Sequence, residues 1–181
     1  VGGDQRALLL HVVTQHLAQR PVQDVGPGVV APDLVAASGV DGGVHGLFIM
    51  GSTSEVAYLT DKNRAEVLRI TMDEVKGLVP VVAGAIDTTT LRVVEHVKTA
   101  VEAGVEGIVI TAPFYVRTHP AEIANHFRLV KKACPNTPIY AYDIPIAVNG
   151  VKLDLSTLLT LAKEGVIHGV KDSSGNDAGI R

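Results

Sequence analysis

Val166-Ile167-His168-Gly169-Val170-Lys171-Asp172-Ser173-Ser174-Gly175 is the stretch on which the reading of this chain turns. An apolar run ends on a lysine and breaks at once into Asp, Ser and Gly. Such a run reads as a strand buried on both faces, and the residues after it read as a loop. A lysine at the end of an apolar strand is partly desolvated, and desolvation disfavours the charged ammonium. A neutral amine is the nucleophile that forms a Schiff base with a ketone. One strand earlier, Pro138-Ile139-Tyr140-Ala141-Tyr142 runs out in the same way into Asp143-Ile144-Pro145. A phenol at that neighbouring strand end can move the protons this chemistry needs. Taken singly, Lys171 can cap a loop and Tyr142 can fill a core; their place in a repeated architecture raises the pair above that.

Outward from this stretch the same unit recurs. Gly46-Leu47-Phe48-Ile49-Met50, Val79-Pro80-Val81-Val82-Ala83 and Gly107-Ile108-Val109-Ile110-Thr111 are further apolar runs. The five runs begin at residues 46, 79, 107, 138 and 166, a period of roughly 30 residues, or one βα unit each. Helices fill the gaps. One spans Thr60 to a stop at Gly77. A second follows Thr89-Thr90, with Leu91, Val94, Val97 and Val101 on its apolar side, and stops at Gly104. A third follows Pro120 with Ile123, Phe127 and Val130 inward. The fourth runs from Asp154-Leu155-Ser156 through Leu158, Leu159 and Leu161 to Gly165. Ser, Thr and Asp starts and glycine stops are what helix termini ask for. Regular βα repeats imply an α/β fold, either a doubly wound sheet or a (β/α)8 barrel. No glycine-rich dinucleotide fingerprint follows the first run, and candidate chemistry sits at several successive strand ends; both favour a TIM barrel.

Such barrels take about 250 residues, and this chain has 181. The expectation is an incomplete barrel over residues 46–181, with about six βα units present and C-terminal units missing. Residues 1–45 read as an irregular N-terminal segment: residues 28–31 offer a first strand, residues 8–17 read as helical, and residues 32–44 hold no convincing crossover. The composition is that of a globular domain, 46 % hydrophobic with a formal net charge of −3. That charge gives no reason to expect nucleic acid or an anionic membrane as partner, and no apolar run is long enough to cross a bilayer. The first residues do not resemble a secretory signal. A single cysteine, Cys134, fits a reducing compartment, so the cytoplasm is the expected location.

Four strand-end motifs fall in order: Gly51-Ser52-Thr53-Ser54-Glu55, Ala112-Pro113-Phe114-Tyr115, Tyr142-Asp143-Ile144-Pro145 and Gly169-Val170-Lys171-Asp172. Over about residues 44–176 the chain resembles the class I aldolases of the dihydrodipicolinate synthase/N-acetylneuraminate lyase family. The resemblance implies a (β/α)8 barrel, usually a homotetramer, that joins pyruvate to an aldehyde or runs the reverse cleavage with no metal or organic cofactor. By the same resemblance, Lys171 matches the lysine that forms the imine with pyruvate. Tyr142 matches the tyrosine that relays protons. Ser52 and Thr53 match the hydroxyl pair that holds the pyruvate carboxylate, Ser52 also entering the relay. Tyr115 matches a tyrosine that in many members enters the relay of a neighbouring subunit. Hydroxyls and backbone N–H groups suit that task, since they bind a carboxylate without a cation that would compete with the iminium.

Two departures qualify the resemblance. Ser54 stands where the family has a glycine, so the tight turn there is altered. Ile146-Ala147-Val148 occupies the stretch where dihydrodipicolinate synthases carry an arginine for the second substrate's carboxylate. That points away from 4-hydroxy-tetrahydrodipicolinate synthesis, the alternative reading, and towards 2-keto-3-deoxy sugar acids or N-acetylneuraminate-type 2-oxo acids. A rival of another class is a catalytically silent barrel fragment acting only as a binding or assembly partner. Among the remaining candidates, the seven histidines lack metal-ligand spacing: His11 and His16 are five apart, and His96, His119 and His126 are expected on solvated helix faces. His168 is expected to face the helix layer and Cys134 to be a buried structural thiol. Glu55 is expected to serve backbone N–H groups, and Asp143 and Asp172 to bond their own loops.

Overall fold

Five of the apolar runs form strands, and the amphipathic segments between them form helices. The computed structural model describes residues 39–75 and 77–175. In order these form β1 (Leu47–Ile49), a 3-10 turn (Val56–Tyr58), α1 (Asp61–Val75), β2 (Val81–Gly84), α2 (Thr90–Glu102), β3 (Gly107–Ile110), α3 (Pro120–Ala133), β4 (Ile139–Asp143), a second 3-10 turn (Pro145–Ala147), α4 (Leu155–Lys163) and β5 (Gly169–Asp172). The suggested first strand at residues 28–31, the helix at 8–17 and the His11/His16 pair lie outside the described residues. No helix among the described residues is long and apolar enough to cross a membrane.

All pairings are parallel, and the strands lie side by side in sequence order, β1-β2-β3-β4-β5. A doubly wound sheet reverses its strand order at a switch point. This one never does, which is the topology of a barrel wall: a parallel half-barrel, with five strands among the described residues. β2 and β3 are buried at every residue, as continuous apolar runs demand.

The helix termini follow their sequence cues. Thr89, His119 and Asp154 are N-caps whose side chains accept from Arg92, Ala121 and Thr157 backbone N–H groups. His119 also donates its own N–H to Glu122 Oε2 at 2.7 Å, completing a reciprocal cap on α3. The hydrogen bonds from Ser156 and Thr157 hold the Asp154 carboxyl at a pKa of about 2. The expected stops Gly77, Gly104 and Gly165 all take positive φ, a conformation that costs glycine little.

The sequence pattern misplaced three features. On α2 the buried row is Val93, Val97 and Ala100, while Leu91 is 79 % exposed and Val101 lies on the rim. Leu91/Val94 and Val93/Val97 are both helical rows, so periodicity alone does not say which one meets the sheet. On α4, Leu161 is buried but Leu159 is half exposed. The last strand begins at Gly169, not Val166: Val166 and Ile167 direct their N–H groups to Leu161 O, closing the end of α4, and His168 N opens the ladder to Ile139 O at 2.7 Å.

Candidate active site

Curling of the sheet builds the site. Strands about 4.8 Å apart would place β1 and β5 of a flat five-stranded sheet roughly 19 Å apart. Here Lys171 Nζ on β5 lies 5.5 Å from the ring centroid of Phe48 on β1, and Phe48 meets Tyr142 on β4 edge-on at 6.1 Å. The concave face therefore gathers side chains from the first, fourth and fifth strands at their C-terminal ends, the end at which barrel enzymes carry out chemistry.

Tyr142 and Lys171 are register partners across β4 and β5. The amine sits 3.8 Å from the centroid of the Tyr142 ring, within cation–π range. Lys171 is half-buried, and its Nζ donates to Ser173 Oγ at 3.2 Å. The Tyr142 side chain is buried, and its hydroxyl lies 3.3 Å from Ser52 Oγ, ninety positions away in sequence. Burial by itself would raise the Tyr142 phenol; the Lys171 amine, Ser52 and Ser173 hydroxyls and the Lys171 charge outweigh it and hold the phenol below its usual range. Beneath this pair the Tyr140 ring lies between two glycines. A Cβ on Gly107 would come 2.8 Å from Tyr140 Cε2, and one on Gly169 3.0 Å from Cδ1. Neighbouring strands without side chains at those positions leave the ring room to form the floor.

The structure thus brings together Lys171, Tyr142 and Ser52. Thr53 is exposed beside Ser52, and its hydroxyl makes no hydrogen bond among the described residues. Tyr115 stands apart: it is 84 % exposed, with a φ of 82°, strained for a residue with a bulky side chain. Ser54 carries no positive φ; the turn is made instead by Met50 (54°) and Glu55 (52°), so a side chain at 54 is tolerated. Glu55 makes no side-chain cap bond, contrary to expectation. Asp143 does bond its own loop, accepting from Lys152 Nζ at 2.6 Å and Leu153 N at 3.1 Å, and Asp172 accepts from Ser174 N.

Two histidines expected on solvated faces are not there. His126 is 1 % exposed, with Nδ1 3.0 Å from Thr90 Oγ1, and His96 is nearly buried and paired with Asp87 at 2.9 Å. His168 is exposed and accepts Ile139 N–H through Nδ1 at 3.3 Å. Cys134 is a buried thiol bonded to Val130 O, as expected. No cluster of three or more His, Cys, Asp or Glu side chains suited to a metal ion occurs among the described residues. Sequence reasoning missed Phe48, whose alternation with Leu47 and Ile49 is the signal that it faces inward, and Ser173, the acceptor for Lys171.

The sequence model of the dihydrodipicolinate synthetase family matches residues 32–180. The chain belongs to this family. An uncharacterised DapA-like lyase of Halobacterium salinarum is 40 % identical over 135 residues, which are 75 % of this chain and 44 % of the relative. Among solved structures, dihydrodipicolinate synthase from Aquifex aeolicus superposes with a TM-score of 0.79 at 26 % identity, covering 86 % of this chain and 54 % of that one. A catalytic-lysine mutant of the Ruminococcus gnavus sialic acid aldolase superposes at 0.76 with 28 % identity, covering 82 % and 50 %. The chain therefore spans about half the length of the family members it matches, and the half it spans is a parallel partial TIM barrel.

Proposed function

We propose that this chain carries the imine-forming half of a class I aldolase acting on pyruvate or a related 2-oxo acid. The observation that carries the reading is the Lys171 amine stacked on the Tyr142 ring while the Tyr142 hydroxyl meets Ser52 Oγ. In the proposed reaction the Lys171 nitrogen bonds to the ketone carbon, two of its three ammonium protons pass by way of the Tyr142 hydroxyl to the ketone oxygen, and that oxygen leaves as water. The resulting iminium withdraws electrons, so the adjacent carbon releases a proton and an enamine forms. In condensation the enamine carbon bonds to an aldehyde carbon, and the new alkoxide takes up a proton; cleavage runs these steps backwards. Water then attacks the iminium and frees Lys171. A phenol held below its usual range accepts and returns protons more readily near neutral pH. The Ser52 and Thr53 hydroxyls hold the substrate carboxylate.

Relatives of this chain bear the names of both synthases and sialic acid aldolases. In the turn after β4, Ile146 is 92 % exposed and no arginine is present. That supports cleavage of 2-keto-3-deoxy sugar acids or N-acetylneuraminate-type acids over 4-hydroxy-tetrahydrodipicolinate synthesis. The exposed, strained Tyr115 supports a homo-oligomer in which this phenol serves a neighbouring copy. Borohydride reduction in the presence of pyruvate, followed by peptide mapping, tests the reading. The expected result is a stable pyruvyl adduct on Lys171 that disappears in Lys171→Ala. Folded protein that yields no adduct would leave a barrel fragment without this activity.

A further inference from the structure

Arg64 on α1 is a buried cation, 8 % exposed, whose charge is directed to backbone rather than to a carboxylate. Its Nη1 donates to Ile86 O at 2.9 Å and its Nη2 to Val56 O at 3.0 Å. Ile86 follows the end of β2, and Val56 opens the 3-10 turn that follows β1, so one planar fork spans the ends of two strands. The neighbouring acids have other partners: Asp61 pairs with Arg92 at 2.7 Å, and Asp87 with His96 at 2.9 Å and Arg92 at 3.4 Å. Arg64 Nε is buried with no partner among the described residues. An orphaned donor and a desolvated charge are both unfavourable, so what keeps an arginine here must be the two carbonyls its fork reaches.

What those carbonyls anchor is the segment that carries Ser52 and Thr53. It runs between two non-glycine residues in the left-handed region, Met50 and Glu55. Inside it Glu55 N bonds Ser52 O, and the 3-10 turn that follows is closed by Tyr58 N on Glu55 O and Leu59 N on Val56 O. Left-handed backbone at such residues persists only where the surroundings over-determine it. The exposed Ser52 reaches the Tyr142 hydroxyl only if this segment keeps its shape. We propose that Arg64 is a positioning residue, and that its two-carbonyl fork holds the Ser52–Thr53 hydroxyls at the imine-forming site. The inference rests on the function proposed above. A lysine at 64 keeps the charge but cannot bridge both carbonyls with one nitrogen.

The test compares Arg64→Lys, Ser52→Ala/Thr53→Ala and the triple variant in the full chain, measuring the initial rate of borohydride-trapped pyruvyl adduct at subsaturating pyruvate. Misplacement of a positioned group by about an ångström lowers rates on the order of 10²-fold, so Arg64→Lys is expected to slow trapping about 10-fold or more. Added to the serine–threonine variant, it is expected to slow trapping less than about 2-fold, because a residue acting through those hydroxyls has nothing left to hold. Full additivity, or wild-type trapping in Arg64→Lys, overturns the proposal. Amide exchange supplies a readout that needs no activity: Glu55, Tyr58 and Leu59 should exchange faster in Arg64→Lys while β3 and β4 keep their protection. If wild-type protein forms no adduct, the aldolase reading falls, and this exchange pattern still decides the role of Arg64. Loss of the whole urea transition in both Arg64→Lys and Arg64→Gln overturns the proposal too, since it would make Arg64 a general folding residue.

Discussion

Acidification from pH 7 to 4.5 should destabilise this fold by about 2 kcal/mol through one side chain, His126. The imidazole is packed between the start of α2, where Thr90 bonds Nδ1, the end of β3 and its neighbour Phe127, which it meets edge-on at 5.6 Å. Burial lowers its pKa from 6.5 to about 4; the nearby Thr111 backbone opposes this in part, but no bond of good geometry reaches Nε2. A folded pKa below the unfolded one means that acid favours the unfolded chain. The neutral imidazole's contribution is complete above pH 6.5 and is lost as pH falls towards 4. Each pH unit inside that window costs up to about 1.4 kcal/mol, and integration to pH 4.5 gives the figure of about 2 kcal/mol. The assay is urea unfolding at half-unit steps from pH 7 to 4.5, comparing wild type with His126→Asn, whose amide retains a partner for Thr90. His168 and the carboxylates titrate in both proteins and cancel in the difference. The variant starts less stable at pH 7, but the gap should narrow by about 2 kcal/mol at pH 4.5. Parallel curves would refute the reasoning and place an unrecognised partner on Nε2.

Other perturbations probe the site's supports. Asp143→Ala strands the buried Leu153 N–H and should lower urea stability by about 1–3 kcal/mol, whereas Asp143→Asn, which still accepts that bond, should recover most of it; a loss under about 0.5 kcal/mol in the alanine variant would contradict the geometry. Gly107→Ala drives a methyl against Tyr140 and Val82 and should cost about 1–3 kcal/mol, read as an earlier urea midpoint at unchanged slope. Among the four tyrosines, the first phenol to ionise in an ultraviolet titration should vanish in Tyr142→Phe and move to higher pH in Ser52→Ala. An early phenol that survives Tyr142→Phe would assign the perturbed group elsewhere.

The parts of the fold that could be read from the chain are those that depend on neighbouring residues. Apolar runs such as Gly107-Ile108-Val109-Ile110 are strands whatever surrounds them, and Thr89, Asp154 and Gly165 mark helix ends through bonds made within a few residues. The strand-end positions of Ser52, Tyr142 and Lys171 were legible for the same reason. Pattern reading failed wherever a side chain's surroundings come from distant segments. His126 and Arg64 carry polar groups at helical positions that a sequence assigns to solvent, yet their partners, Thr90 and the carbonyls of Val56 and Ile86, arrive only when neighbouring βα units pack.

By itself, then, the sequence determined a run of parallel βα units with hydroxyl, phenol and amine groups at strand ends, because strand and helix formation are local. Only the tertiary structure decided that these groups meet. Sheet twist and the helix layer curl five strands until β1 faces β5, and the Tyr142 hydroxyl then reaches Ser52 across ninety residues. No local propensity encodes that closure; it follows from how neighbouring strands pair and how the helices pack on them.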